Sequence, residues 1–503
     1  MSTRRILASD IVTSISDALQ FVSYYHPADF IQALKQAYVR ETQAPARTAL
    51  LQLLVNSRLS AFAHRPVCQD TGVVHVYFRI GMDVRVEADG EACTPSYQTL
   101  ANRATAQAYG CLANPLRASM ISDPLGARRN TRDNTPAIVY VELTEGKGFE
   151  VTVAAKGGGG DVKARYAMLN PSDSIVDWVL DQIPTMGAGW CPPGAIGVGV
   201  GGSPEQAMWL AKRAVLQPID IAELQDRGPA DEVEALRLAL YKRINALGIG
   251  AQGLGGDTTV LDVKVAQLPS HAALKPVAIM PNCAATRFVS FSLDGSGPAT
   301  FEQPPAEIWD GIPDMLPDVN GRHVNLDTLT REEVAAWRTG ETLLLSGRLL
   351  TARDAAHKRM ADALANNETL PVDLNGRGIY YVGPVDAVGD EAVGPAGPTT
   401  STRMDKFMPM LLERTGLLLT VGKAERGPLA IEAIKAAQGA YLMATGGAAY
   451  LISKSIRKAR IVAYEDLGME AIHEFEVINM PVVVAVDSTG VSIHRHFNIT
   501  HLR

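Results

Sequence analysis

The sequence predicts an α/β protein in two parts: an α+β N-terminal part and a smaller α/β C-terminal part. Three observations carry that expectation. Before residue 294 a helical opening gives way to separate strands rich in Val, Ile and Thr. Beyond residue 331 strand-like runs alternate with helix-compatible ones. Between them, 295–321 collects Gly295, Gly297, Pro298, Pro304, Pro305, Gly311, Pro313, Pro317 and Gly321, residues that punctuate structure rather than continue it. The expected organisation is 1–294, a linker at 295–330, and 331–503.

Each element follows from its periodicity. Phe30, Ile31, Leu34 and Tyr38 recur at helical spacing over 29–41, and a second helix is expected at 45–57. Val73-Val74-His75-Val76-Tyr77-Phe78-Arg79-Ile80 reads as a strand, as do 137–143 and 150–155. Val233, Leu236, Leu240, Ile244 and Leu247 line one face of a helix over 231–247, with Gly248 as its stop. In the C-terminal part, strands are expected at 342–345, 378–383, 417–420, 461–464 and 481–486. Helices are expected at 353–366, 403–415, 428–437 and 447–457. No internal repeat or low-complexity tract is present.

At 503 residues, 47% hydrophobic and 20% charged, the composition is that of a globular protein with ample core. A formal net charge of -7 argues against general nucleic-acid binding, which wants a basic face, yet leaves room for a local cationic pocket. No apolar run is long enough for a transmembrane helix, and the start has no secretory pattern. Five cysteines in so long a chain form no disulfide framework, so a cytoplasmic enzyme is expected, with no membrane partner.

Three cysteines sit where packing alone would not choose them: Cys68 in His-Arg-Pro-Val-Cys-Gln-Asp-Thr-Gly, Cys191 in Gly-Trp-Cys-Pro-Pro-Gly, and Cys283 in Met-Pro-Asn-Cys-Ala-Ala-Thr-Arg. A cysteine is more often a small buried hydrophobe than a ligand; Cys93 and Cys111, with unremarkable neighbours, read as packing or surface residues. The flanks of the other three are loop formers. Three thiolates are one fewer than a closed zinc site or a fully protein-ligated cluster needs, which leaves a metal position open for Lewis-acid chemistry. Their wide spacing excludes a zinc finger but allows assembly from three loops.

Lys156-Gly157-Gly158-Gly159-Gly160-Asp161 follows a strand and lets backbone N–H groups approach an anion, but it lacks the order of a P-loop. The glycine-rich stretches 194–202 and 248–256 lack the strand-turn-helix unit and acidic residue of a dinucleotide site; tight backbone packing is the better reading. Arg353, Arg403 and Lys423 emerge from loops rich in Gly, Pro and Thr, a pattern that suits a small di-acid. Each alone could equally be a solvated surface charge.

Together these residues resemble the class I, iron–sulfur fumarate hydratases. The resemblance spans nearly the whole chain. It rests on Cys-Gln-Asp-Thr-Gly at 68–72, Lys-Gly-Gly-Gly at 156–159, Cys-Pro-Pro-Gly at 191–194, Gly-Ala-Gln-Gly-Leu-Gly-Gly at 250–256, Asn-Cys-Ala-Ala-Thr-Arg at 282–287, Tyr-Tyr-Val-Gly-Pro-Val-Asp at 380–386 and Gly-Pro-Thr-Thr at 397–400. The heterodimeric L-tartrate dehydratases look like the same two domains on separate chains.

The resemblance implies a [4Fe-4S] cluster on Cys68, Cys191 and Cys283 with one open iron. It also implies a homodimer, a swivelling-type C-terminal domain, and a dicarboxylate site between the domains. By matching positions, Gln69, Arg117, Gly159 and His271 bind substrate from the first domain and Arg353, Arg403 and Lys423 from the second. Asp70 matches the acid that protonates the departing hydroxyl, and Thr399 matches the base. A hydroxyl is a weak base, so Thr399 needs activation by nearby cations. The cations would stabilise the charge that grows as a proton leaves the carbon beside a carboxylate.

The chain departs from the family pattern at Gly160-Asp161-Val162, Asp257 and Ala352. The implied reaction is reversible hydration of fumarate to (S)-malate. A dehydratase of tartrate or mesaconate, an iron–sulfur redox or sensor protein, and a dinucleotide-dependent oxidoreductase are the alternatives.

Overall fold

The computed structural model describes residues 3–90, 92–317 and 320–494. It has the expected α/β architecture: helices packed on three larger sheets and a small parallel pair. Helix Ala8–Tyr24 buries Ile11, Ile15, Leu19 and Val22 along one face. Helix Ala44–Ala63 begins with Pro45, where a missing N–H costs nothing, and ends at His64, left-handed at φ 50. It runs past the expected 45–57 because Ser60 and Ala61 continue its buried face.

Two four-stranded sheets organise the N-terminal part. One has the order Phe288–Ser292, Phe149–Lys156, Val73–Gly81, Ile138–Thr144; the other has Arg165–Leu169, Lys275–Pro281, Gly194–Gly201, Val260–Leu268. Strand Gly194–Gly201 is hidden in the sequence by its glycines. Added Cβ atoms at Gly197 and Gly199 would overlap the carbonyls of Ala211 and Ala207. Helix Pro204–Ala214 therefore lies directly on the strand, and this stretch serves packing rather than a dinucleotide.

The C-terminal sheet has seven strands in the order Arg322–Asn325, Thr342–Thr351, Gly378–Tyr380, Leu419–Gly422, Ala440–Met443, Ile472–Val486, Ile456–Ala463. Strand Ile472–Val486 also pairs with Thr342–Thr351, from Thr342↔Val483 to Leu350↔Glu474, so the sheet closes on itself. Its long strand is two and a half times the length read from 481–486, because polar residues on the outer face mask the alternation. The expected helix at 403–415 is a 3-10 turn, Ser401–Phe407, leading into Met408–Thr415. The expected helix at 447–457 shortens to Ala449–Ser453, since strand Ile456–Ala463 follows at once.

The stretch 295–330 is more than a tether. Ile308 and Trp309 are buried, Trp309 Nε1 donates to Ser57 Oγ at 3.3 Å, and Arg322–Asn325 is an edge strand of the C-terminal sheet. One apolar core joins Leu50, Leu53 and Ala284 to Tyr381, Met443 and Ala448. Among the described residues no helix is long and apolar enough to cross a membrane.

Candidate active site

Strand pairing brings the motifs together. Val73 pairs with Lys156, which sets the 68–72 loop beside the 157–160 glycines. Ile196 pairs with Pro281, which sets the chain before strand Gly194–Gly201 beside the chain after Lys275–Pro281. Ala284 N–H then donates to the Cys191 carbonyl at 3.1 Å, and Asn282 N–H to the Ala195 carbonyl at 2.8 Å. Ala155 N–H donates to the Arg287 carbonyl at 3.0 Å, which extends the pairing of strands Phe149–Lys156 and Phe288–Ser292 toward the 282–287 loop. In the C-terminal part, Arg353 and Lys423 each follow a parallel strand, at the carboxyl ends where α/β sheets bind ligands.

The two parts meet at a thiol. Lys423 Nζ donates to Cys191 Sγ at 2.7 Å, across 232 residues of sequence. A Cβ at Gly446 would lie 2.5 Å from the same sulfur, so only glycine fits there. Cys191 itself is left-handed at φ 58, a conformation costly for a residue with a side chain. Cys68 and Ala285 share a small buried cluster against which Cys283 packs. Burial pushes the Cys68 thiol up to about 11, with Arg287 and Lys423 acting the other way and Asp70 and Cys283 adding to it. Burial also raises Cys191, against Lys423. Thiols so placed stay protonated until something that prefers thiolate takes them.

Asp70 lies among cations. Its Oδ2 accepts the Gly158 N–H at 3.0 Å and its Oδ1 the Gly72 N–H at 3.2 Å. Burial acts to raise its pKa, but Arg117, Arg287, Lys423 and the Gly72 N–H together outweigh it and hold the carboxyl below the usual range. Burial and neighbouring Arg353 bring Arg117 down to about 10, while Asp70 opposes them. Arg117 Nη1 donates to the Gly383 carbonyl. Burial works against charge on Lys423, yet the thiols of Cys191 and Cys68 hold it above the usual lysine range.

The other expected residues fall into three groups. Gln69 is buried and bridges Cys68 Sγ, 3.4 Å from its Oε1, to the Pro398 carbonyl, 3.2 Å from its Nε2. Gly159 lies against Lys423, whose Nζ would be 3.5 Å from a Cβ there. Thr399 is buried, its N–H bound to the Tyr381 carbonyl at 2.7 Å and its carbonyl to the Lys423 N–H at 3.2 Å. Arg353, partly buried, sits 3.5 Å from Glu470 Oε1. Arg403 is exposed and paired with Asp354 Oδ2 at 2.6 Å, so it stands outside the buried group.

His271 stands apart from this group within the chain. It is exposed on the turn before strand Lys275–Pro281, whereas Cys283 follows the far end of that strand. A strand of this length spans roughly 20 Å, so within one chain His271 does not reach the thiols.

Arg287 was overlooked as a site residue. It is buried, its Nε has no hydrogen-bond partner among the described residues, and its guanidinium lies beside Asp70. Its place four residues after Cys283 was the available signal. The Gly160 departure also gains a reason: a Cβ there would lie 2.6 Å from Lys156 Nζ, which pairs with Asp161 Oδ1 at 3.1 Å. Among the described residues no group of three or more His, Cys, Asp or Glu side chains is placed to hold a single metal ion.

The chain is similar to known proteins over nearly its whole length. The family described as Fumarate hydratase (Fumerase) matches residues 12–292, and Fumarase C-terminus matches 295–497. The aerobic class I fumarate hydratase of Escherichia coli K12 is 30% identical over 470 residues, 90% of this chain and 83% of the relative. Fumarate hydratase 2 of Leishmania major is 29% identical over 491 residues, 95% of this chain and 84% of the relative. A putative L(+)-tartrate dehydratase subunit alpha of Methanocaldococcus jannaschii is 32% identical over 287 residues, 56% of this chain and 95% of the relative.

Proposed function

This chain belongs to the fumarate hydratase family of hydro-lyases, and we propose from that premise that it hydrates fumarate reversibly to (S)-malate. The observation that carries the reading is the contact of Lys423 Nζ with Cys191 Sγ, which sets a di-acid cation directly on the thiol loops. Cys68, Cys191 and Cys283 would hold a [4Fe-4S] cluster, each thiolate taking its own iron. That set suits a cluster by its chemistry: Cys283 packs against the Cys68 group and lies close enough to act electrostatically on both Cys68 and Cys191. When bound, the cluster's open iron supplies Lewis acidity toward the substrate hydroxyl.

The remaining roles belong to the chain. Arg117, Arg353 and Lys423 receive the two carboxylates, and Arg403 joins them by exchanging Asp354 for substrate. As a proton leaves the carbon beside one carboxylate, charge grows on that carboxylate, and these cations stabilise it more than they do the ground state. Asp70 is ionised in the free site. A dianion arriving among Arg117 and Lys423 offsets the field that holds it so, and its pKa rises toward the range in which it passes a proton to the departing hydroxyl. Thr399, tethered beside Lys423, takes the carbon-bound proton. Residues 1–294 and 331–503 act as two domains closing on the substrate, and the working unit is a homodimer. Five free thiols suit a reducing cytoplasm.

A second reading, dehydration of tartrate, is favoured by the tartrate dehydratase relative, and hydration of mesaconate would use the same di-acid cations. Loss of fumarate absorbance by anaerobically reconstituted protein tests both, with air-exposed protein as control. Rapid loss abolished by oxygen supports the hydratase. No loss with an intact cluster, and turnover of tartrate or mesaconate instead, would replace it.

A further inference from the structure

Glu425 lies two residues beyond Lys423 and reaches back across the site. Its Oε2 accepts the Ala188 N–H at 2.9 Å, and its Oε1 lies 3.5 Å from Lys163 Nζ. Both side chains are mostly buried, at 21% and 16% exposure, so this pair is better shielded than a surface ion pair. The turn it grips is closed on itself, because Cys191 N–H donates to the Ala188 carbonyl at 2.9 Å. Displacing Ala188 therefore displaces Cys191. Gly187 is left-handed at φ 61, and a Cβ there would overlap the Glu425 carboxylate. Glycine at that position lets the carboxylate in.

We propose that Glu425 is a positioning residue, a latch that fastens the Lys423 loop to the Gly187–Ala188 turn and thereby fixes the Lys423 ammonium over Cys191. The Lys423 backbone is already held, its N–H on the Thr399 carbonyl and its carbonyl on the Ser401 N–H, but the contact at Cys191 is made at the tip of a long, rotatable side chain. A second one, from Glu425 to Ala188, fixes orientation as well as distance. The residue between the two anchors bears the cost: Ala424 is left-handed at φ 68, a strained conformation that persists where both neighbours are tied down. Lys163 adds a third tie, because it follows the Gly157–Gly160 loop that holds Asp70 and abuts Gly189. None of the motifs read from the sequence includes Glu425. Only the kinetic consequence rests on the hydratase reading; the latch itself does not.

The test is alkylation of individual thiols by iodoacetamide, read by peptide mass spectrometry on the full-length chain stripped of metal by a chelator. Glu425→Ala is expected to speed labelling of Cys191 about tenfold, the factor a charged hydrogen bond is worth, while Cys68 labels at its original rate. Glu425→Gln, which keeps an acceptor for Ala188 but loses the charge facing Lys163, should give a smaller increase, and Lys163→Met should match it. These two variants carry the test if Glu425→Ala does not fold. In reconstituted protein, Glu425→Gln should raise KM for fumarate more than it lowers kcat. Unchanged Cys191 labelling in all three variants overturns the latch. So does a parallel rise at Cys68 and Cys191, which would make Glu425 a general stabiliser. If labelling behaves as expected but no dicarboxylate is turned over, the latch stands and the hydratase reading falls.

Discussion

Two glycine-rich stretches look alike in sequence and do opposite things. Residues 194–201 form a buried strand whose missing side chains admit a helix. Residues 157–160 sit at the end of a strand, with Gly158 N–H aimed at Asp70 and Gly159 against Lys423. The first set of glycines is needed for the fold and the second for the site. Composition does not separate them; what lies within a Cβ's reach does.

The comparison breaks most readily at Gly199. Gly199→Val puts side-chain atoms into the backbone of helix Pro204–Ala214, beyond the overpacking of about 1–3 kcal/mol that cores absorb. We expect little folded protein, measured by thermal melting and yield. Folded, active Gly199→Val protein would erase the distinction. Next in size, Asp70→Asn should leave melting unchanged and lower turnover by about 10²–10⁴, the range of a lost acid–base group. Near-normal rates would remove Asp70 from that role. Gly159→Ala sharpens the contrast. Its Cβ would meet the Gly189 carbonyl at 3.0 Å and Lys423 Nζ at 3.5 Å, so we expect about tenfold lower kcat/KM, with stability changed by about 1 kcal/mol at most.

The smallest effect is on pH. Burial lowers His26 and His75 to about 3 and His357 to about 4, against about 6.5 in an unfolded chain. The unfolded state then binds more protons than the folded one below pH 6.5. Stability is complete above that pH and falls as pH drops toward 4, by on the order of 1–2 kcal/mol per histidine at pH 5. Urea midpoints at pH 7 and pH 5 measure this. His75→Gln should flatten the slope in the N-terminal sheet, and an unchanged slope would place the acid sensitivity elsewhere.

Much of the site was legible in the residues. Cys68, Cys191, Cys283 and Lys423 stood out because loop-forming neighbours leave reactive side chains at strand ends, whereas Asp70 came from the family resemblance. Strand Val73–Gly81 and helices Ala28–Arg40 and Glu232–Asn245 followed from apolar period alone. Strand Gly194–Gly201 did not, because glycine carries no pattern of inside and outside. The separation of His271 from the thiols within the chain was not legible either: a resemblance gives order along the chain, whereas position depends on which end of a strand a turn occupies. Arg287 and Glu425 went unnoticed because arginine and glutamate are ordinary surface residues until their surroundings are known.

The sequence by itself determined the α/β class, the thiols and cations available for chemistry, and the family to which they belong. The tertiary structure alone decided which of them meet. Lys423 touches Cys191 across 232 residues, and that contact comes from strand register and a shared apolar core. Local propensity acts over a few residues along the chain, whereas the geometry of a site is set by packing between segments far apart in it.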